Sequence, residues 1–251
     1  MYCDISRFNV REIPKSMAKP MVVRYHYSKL WTKCSIAFGL FYDTGEEHSF
    51  FDEVKEKLVG VIVYGDPIGR YSGASISELI DRTEVYELTR LYIHDGYGSN
   101  IESWFIGKTI GWLKKNTKLK ALMSYAAPQK GHLGIVYQAT NWIYQGNKIR
   151  PNDAWVFKFE ENGKWKHGRT IFPYYKTNDP HKIAEQVDKP FWIRKELQKH
   201  GYVYILAKKK DKKKIIRTLK HETLPYPKSR DTDESEIIRM EPNNEAGYKR
   251  G

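Results

Sequence analysis

The chain has 251 residues, 40% hydrophobic and 14% aromatic, enough to bury a core and suited to one α/β domain with additions or to two small ones. Its 43 Lys and Arg against 30 Asp and Glu leave a net charge of +13 and a pI of about 9.4, an excess that points to a polyanionic partner, nucleic acid first. Two cysteines, Cys3 and Cys34, with no C-x-x-C pair argue against a disulfide framework and a structural zinc signature; with no membrane-spanning apolar run and no signal peptide, a soluble cytoplasmic protein that engages no membrane is expected.

Residues 1–20 read as a first strand near Ile5 to Ile13, followed by punctuation at Pro14 and Pro20. MVVRYHY, residues 21–27, is short and aromatic, and His26 within it is a candidate base or metal ligand. SIAFGLFY (35–42) and LVGVIVY (58–64) read as consecutive strands, with an acidic loop or short helical excursion between them at 44–57. Residues 65–83 form a loop rich in Gly and Ser, where Arg70 and Tyr71 are candidates for DNA contact.

The chain is organised around residues 86–116, YELTRLYIHDGYGSNIESWFIGKTIGWLKKN, which read as strand, glycine turn and amphipathic helix. Gly96 and Gly98 allow a tight turn or a close approach to a ligand. Ser99 and Glu102 spell a capping box, and Gly107 and Gly111 suggest close packing of the helix on a sheet. A glycine turn feeding a helix N-terminus suits a phosphate, although no G-K-[ST] completes a P-loop. ALMSYA (121–126) then reads as a second buried strand, residues 131–141 as a helix and 142–145 as a further strand.

Residues 155–167 read as a hairpin turning at Asn162-Gly163. Lys158, Lys164, Lys166 and His167, with Arg169 just beyond, alternate there with Trp155, Phe157, Phe159 and Trp165, a pattern that suits phosphate contact plus base stacking. DKPFWIRKELQK (188–199) reads as a capped helix with Pro190 in its first turn, and YVYILA (202–207) as an edge strand. KKKDKKKIIRTLK (208–220), with Lys208, Lys209, Lys210, Lys212 and Lys213, reads as a helix or hairpin with a phosphate-contacting face. Residues 229–251 read as a disordered tail.

The run of strand, G-x-G turn, helix, strand and helix ending in VYQATNWIYQG resembles the acyl-CoA-binding half of the GNAT acyltransferase fold, with Asn141-Trp142 in place of Gly-Phe and Ile93 where the turn motif has Gln or Arg. Together with HYS at 26–28, VYGDP at 63–67, SYAAPQKGHLGIVYQATNWIYQG, FPYYK and LPYPK, it is similar to the phage Mom family over roughly residues 20–228. The resemblance implies a GNAT-like central mixed sheet flanked by helices over 1–150, with a basic strand and helix extension packed on it over 151–228. It also implies transfer of a small methylcarbamoyl or carbamoylmethyl-type group to adenine N6 in phage or prophage DNA, which shields that DNA from restriction. The implied donor is acetyl-CoA or another acyl-CoA, and the implied partner is double-stranded DNA with a flipped adenine. Iron would need ligands such as His26, His132 and Asp66; the oligomeric state, a dimer included, is left open.

The candidate active site lies where the two central strands splay, with Glu87, Thr89 and Arg90 on the first and Ser124 and Tyr125 on the second. Period-two alternation puts Glu87 and Thr89 on one face and Arg90 on the other. Glu87 can take a proton from N6, and Arg90 can bind a phosphate or carboxylate bidentately. The resemblance adds His26 and Tyr64 from their motifs, and Tyr137 as general acid for a thiolate. It assigns Leu91, Ile93, Gly96, Gly98, Ser99, Asn100, Ser103 and Asn141 to cofactor binding; Asn141 reads equally as a helix cap. Two alternatives remain: a CoA-dependent N-acyltransferase acting on a protein or small-molecule amine, and a non-catalytic DNA-binding protein on a degenerate scaffold.

Overall fold

The alternating aromatic and aliphatic runs of the first 126 residues supply five of the seven strands of one face-covered sheet. The computed structural model describes residues 4–45, 56–67, 75–127, 131–147, 155–195, 199–228 and 236–243. The expected contacts of Arg70 and Tyr71 and most of the 44–57 loop lie outside these residues. The chain divides into two units, one of residues 1–126, 132–146 and 200–228, the other of 127–131, 147–199 and 229–251. Among the described residues no helix is long and apolar enough to cross a membrane.

In the first unit β1 (Phe8–Ile13), β2 (Ile36–Asp43), β3 (Glu56–Gly65), β4 (Val85–Ile93), β5 (Ala121–Ala126), β6 (Ile143–Asn147) and β10 (His200–Ile205) form a seven-stranded mixed sheet ordered β1-β2-β3-β4-β5-β10-β6. Neighbours from β1 to β4 are antiparallel, β4 and β5 are parallel, and β5 and β10 are antiparallel. One face packs on α2 (Ile101–Asn116) and α3 (Ile135–Ala139), the other on α1 (Lys15–Tyr25) and α6 (Lys209–Arg217). Phe105, Ile106 and Leu113 of α2 are fully buried; each contributes roughly 1.5–3 kcal/mol by burial. The expected mixed sheet flanked by helices is therefore present.

Several local expectations fail for identifiable reasons. α1 occupies the stretch read as proline punctuation. Pro14 precedes its first turn, and Pro20 lies on its exposed side, where the carbonyl it leaves unbonded can be hydrated. Gly107 and Gly111 face open space, with nothing within 4 Å of where a Cβ would sit, so they do not bring α2 close to the sheet. α3 is shorter than the 131–141 helix expected, because Gly134 takes a left-handed conformation (φ 76°) at its start.

The second unit is a four-stranded sheet ordered β11-β9-β7-β8, built from β7 (Trp155–Lys158), β8 (Lys166–His167), β9 (Phe191–Lys195) and β11 (Ile238–Met240). Its inner face buries Phe157, Phe191 and Ile193 against α4 (Gly168–Tyr175) and α5 (Pro180–Ala184). β9 occupies the segment read as a capped helix. Phe191 and Ile193 are buried while Trp192 and Arg194 are half-buried, a period of two that the strand satisfies and a helix cannot. β11 falls inside the expected tail, pairing Arg239 with Trp192. The hairpin forms with Val156 opposite His167, but its tight turn is 160–163, closed by the Gly163 amide on Glu160 O at 2.8 Å, within a longer connection than the two-residue turn expected.

Candidate active site

The site begins with an irregularity in β4. Val63 of β3 lies opposite Arg90, yet Tyr64 lies opposite Leu88, so Thr89 is an extra residue, a β-bulge. Its hydroxyl bonds Val63 O at 3.1 Å. The bulge inverts the alternation: Tyr86 and Leu88 before it, and Leu91 and Ile93 after it, pack toward α2, whereas Val85 packs on the α6 side and Tyr92 on the α1 side. Glu87 and Arg90 therefore share a face, contrary to the simple period-two expectation.

β4 and β5 separate at the same level. Their ladder ends at Glu87 opposite Met123. Where the next rung would be, the Ser124 hydroxyl lies 2.9 Å from Leu88 O and 2.8 Å from the Tyr137 hydroxyl. Ser124 has one proton to give. Given to Leu88 O, it makes the phenol donate to Ser124; given to the phenol oxygen, it frees the phenol proton to point elsewhere. Tyr137 is buried against Trp142 and Tyr202, with ring centroids 5.1 and 5.2 Å away. Burial, more than the bond to Ser124 can offset, pushes its pKa up to about 12.

On the α1 side, Arg90 is half-buried; its Nε donates to Leu30 O at 3.0 Å and Nη1 to Thr89 O at 2.6 Å. Burial draws its pKa down, and the nearby Tyr27 and Glu87 push it back up. Glu87 is buried, and its charge reaches Tyr137 as well as Arg90. Glu87 and Arg90 on one face and Ser124 and Tyr137 on the other thus flank the splay, and Tyr27 and Glu87 each interact electrostatically with both Arg90 and Tyr137. The Tyr27 ring is 59% exposed and lies 4.2 Å from that of His26 and 5.5 Å from that of His132. Tyr27 stands within the HYS tripeptide, and its exposure, invisible in sequence, is what distinguishes it from a packing tyrosine. Tyr64 is fully buried on the α2 side in the same core as Tyr137, with which it interacts electrostatically, and its hydroxyl lies 2.7 Å from Thr109 Oγ1. Tyr125 packs with the α6-side core.

His26 ends α1 and accepts the Ser28 amide on Nδ1 at 3.1 Å, which leaves the other ring nitrogen to carry its proton. Burial, then the charges of Arg90 and His132, push its pKa down to about 4. A histidine whose folded value lies below its unfolded value of about 6.5 binds protons better unfolded. Its stability contribution is complete above about pH 6.5 and is lost as pH falls toward 4. The urea midpoint should drop between pH 7 and pH 5, and His26→Gln should flatten that dependence; an unchanged pH slope in the variant would refute the assignment.

The glycine turn is left-handed at Gly96 (φ 95°), Gly98 (φ 97°) and Asn100 (φ 69°). The expected capping box does not form: Asn100, not Ser99, is the N-cap of α2, and it makes no side-chain cap. Ser103 Oγ instead donates to Asn100 O at 2.9 Å. The first amides of α2 thus have no side-chain partner at the positive end of a 16-residue helix, beside open space at Gly96. Leu91 and Ile93 lead from the splay to this turn, and the helix N-terminus that follows suits an anion. Asn141 (φ 59°) ends α3: its amide bonds Gln138 O at 3.0 Å and the Trp142 amide bonds Tyr137 O at 3.0 Å, the Schellman pattern that a left-handed Asn permits. Asp66 is exposed, and among the described residues no three His, Cys, Asp or Glu side chains gather into a metal-binding group, so donors for iron are not assembled there.

Of the phosphate-contact candidates, Lys164, Lys166 and Arg169 are exposed, and Lys158 bonds Glu161 O at 2.8 Å. Lys208 precedes α6, and Lys209, Lys210, Lys212 and Lys213 lie on it, with Ile215 anchoring the helix to the core. Among solved structures, the chain is similar to spermidine N-acetyltransferase from Vibrio cholerae in complex with CoA and spermine (7% identity, 80% of this chain and 96% of that one, TM-score 0.42) and to Arabidopsis thaliana NAA60 in complex with acetyl-CoA (11%, 79% and 98%, TM-score 0.43). The methylcarbamoylase mom of Escherichia phage Mu is 24% identical over 214 residues, 84% of this chain and 80% of the relative. The Mom protein family model matches residues 7–228, so the chain belongs to the Mom protein family.

Proposed function

We propose that this protein transfers a small methylcarbamoyl or carbamoylmethyl-type group to adenine N6 in DNA and so protects phage DNA from restriction. Family membership supports DNA modification, and the observation that carries the reaction is that Glu87, Arg90, Ser124 and Tyr137 flank the splay of β4 and β5. An acyl-CoA, when bound, would supply a thioester carbonyl at that splay; attack there forms the N6–C bond to the carbonyl carbon and breaks the C–S bond, so this step delivers the group of the methylcarbamoyl type, with the CoA thiol leaving. The turn of Gly96, Gly98, Ser99 and Asn100 and the first turn of α2 with Ser103 would hold the CoA phosphates, and Leu91 and Ile93 would line its arm.

The N6 amine is a poor nucleophile, because its lone pair is delocalised into the ring. Glu87 therefore takes the amine proton as the C–N bond forms, not before. Arg90, whose charged form the nearby Glu87 favours, fixes the loop after α1 through Leu30 O. Tyr137 faces the departing sulfur. At about 12 its phenol is too weak an acid to give its proton outright to a thiolate of ordinary pKa near 8.5, so it stabilises the sulfur's charge by hydrogen bonding. The cationic side chains of the second unit and of α6 neutralise backbone phosphates.

Nucleoside mass spectrometry tests this reading. DNA from bacteria expressing the protein should contain a modified deoxyadenosine that cells carrying an empty vector lack, and its mass identifies the group. Unaltered nucleosides alongside soluble, DNA-binding protein would overturn it.

A further inference from the structure

We infer that the outer face of the four-stranded sheet in the second unit is a stacking platform for an unpaired segment of DNA. This rests on the reading of DNA as the partner and goes beyond it by assigning the strand state that the surface selects.

The argument begins with register. Phe157, Phe191 and Ile193 point into the core, so Lys158, Trp192 and Arg194 point outward. Trp192 lies between Lys158 on β7 and Arg239 on β11, and Arg194 lies opposite Val156. Trp165, from the hairpin connection, joins the same face: Arg194 stands 4.5 Å and Lys158 5.5 Å from its ring, and Lys158 stands 4.9 Å from Trp192. The row Arg194, Trp165, Lys158, Trp192 alternates cation and indole, and both rings stay partly exposed. None of the four serves the apolar core, which lies on the other face.

Charge and shape select the partner. The cations suit phosphates, and the indoles offer flat apolar surface to bases. A duplex hides its base faces in the stack, so only an unpaired strand can use the rings. A reaction at N6, an atom that pairs in duplex DNA, needs such a strand, because the adenine must leave its partner. β9 supplies Trp192 and Arg194, so this platform exists only because the segment that reads as a helix is a strand.

Fluorescence anisotropy with the full chain, at one fixed salt concentration, decides the matter. The probes are labelled oligothymidylate and a duplex of the same length. Trp165→Ala should weaken single-strand binding about tenfold and leave duplex binding unchanged, and Trp165→Phe should restore most of the loss. If Trp165→Ala does not fold, judged by its melting transition, Trp192→Thr on the strand serves the same comparison. Wild-type affinity for the strand in the alanine variant, or equal loss on both probes, overturns the inference. Because binding is read without turnover, a protein that modifies no adenine yet shows the ring-dependent preference fails only the proposed reaction. One that modifies adenine without that preference fails only this proposal.

Discussion

Glu87→Gln should lower the rate of adenine modification by about 10² to 10⁴ while leaving most of the folded protein intact. Gln keeps the shape of the side chain and removes only its charge and its capacity to accept a proton. Removing one partner of a fully buried ion pair costs roughly 3–5 kcal/mol, but Glu87 and Arg90 interact only through their charges, and Arg90 is half-buried and keeps its bonds to Leu30 O and Thr89 O, so the stability loss should fall below that range. The catalytic loss has a separate origin. A neutral amide cannot take the N6 proton as the C–N bond forms, and the developing cation at nitrogen goes unrelieved. Rates per folded molecule in single-turnover assays would separate the two effects. A variant that modifies adenine at the wild-type rate would make Glu87 a charge that supports Arg90 and nothing more.

How this site arises was only partly legible in the sequence. The strand, turn and helix of residues 86–116 could be read, since alternation, glycines and an apolar helical stripe are local signals. The β-bulge at Thr89 could not: it is set by how β3 and β4 come into register, and no residue type announces it. Yet it turns Glu87 and Arg90 onto one face. The helix cap was misplaced by one residue because Ser99 and Glu102 have the spacing of a capping box, whereas the left-handed turn through Gly98 and Asn100 delays the helix until Ile101. β9 was misread for a similar reason. Asp188 and Pro190 imitate a helix start, and only pairing with β7 and β11 shows that Phe191 and Ile193 serve a sheet. α1 was hidden by Pro20, which is harmless on an exposed helix side. Local chemistry was readable, and the errors lie where strand pairing or exposure decides.

Tyr137→Phe should slow modification by about 10- to 100-fold, less than Glu87→Gln, and the difference follows from acidity. The phenol lies at about 12 and an ordinary thiol near 8.5. A gap of roughly 3.5 corresponds to about 5 kcal/mol against complete proton transfer, so Tyr137 contributes a hydrogen bond to charged sulfur, worth about 1.5–3 kcal/mol. Phe preserves the packing against Trp142 and Tyr202, and Ser124 keeps Leu88 O as an acceptor, so the melting temperature should change little. The same pKa makes a second prediction by its sign. The phenol stays protonated at every pH below about 12, so the variant and the wild type should share one alkaline pH profile and differ by a constant factor. A thioester whose leaving thiol is more acidic needs less help at sulfur, and the Tyr137→Phe defect should shrink with it. A defect that grows instead would mean that Tyr137 acts on the carbonyl or on adenine and not on the leaving group.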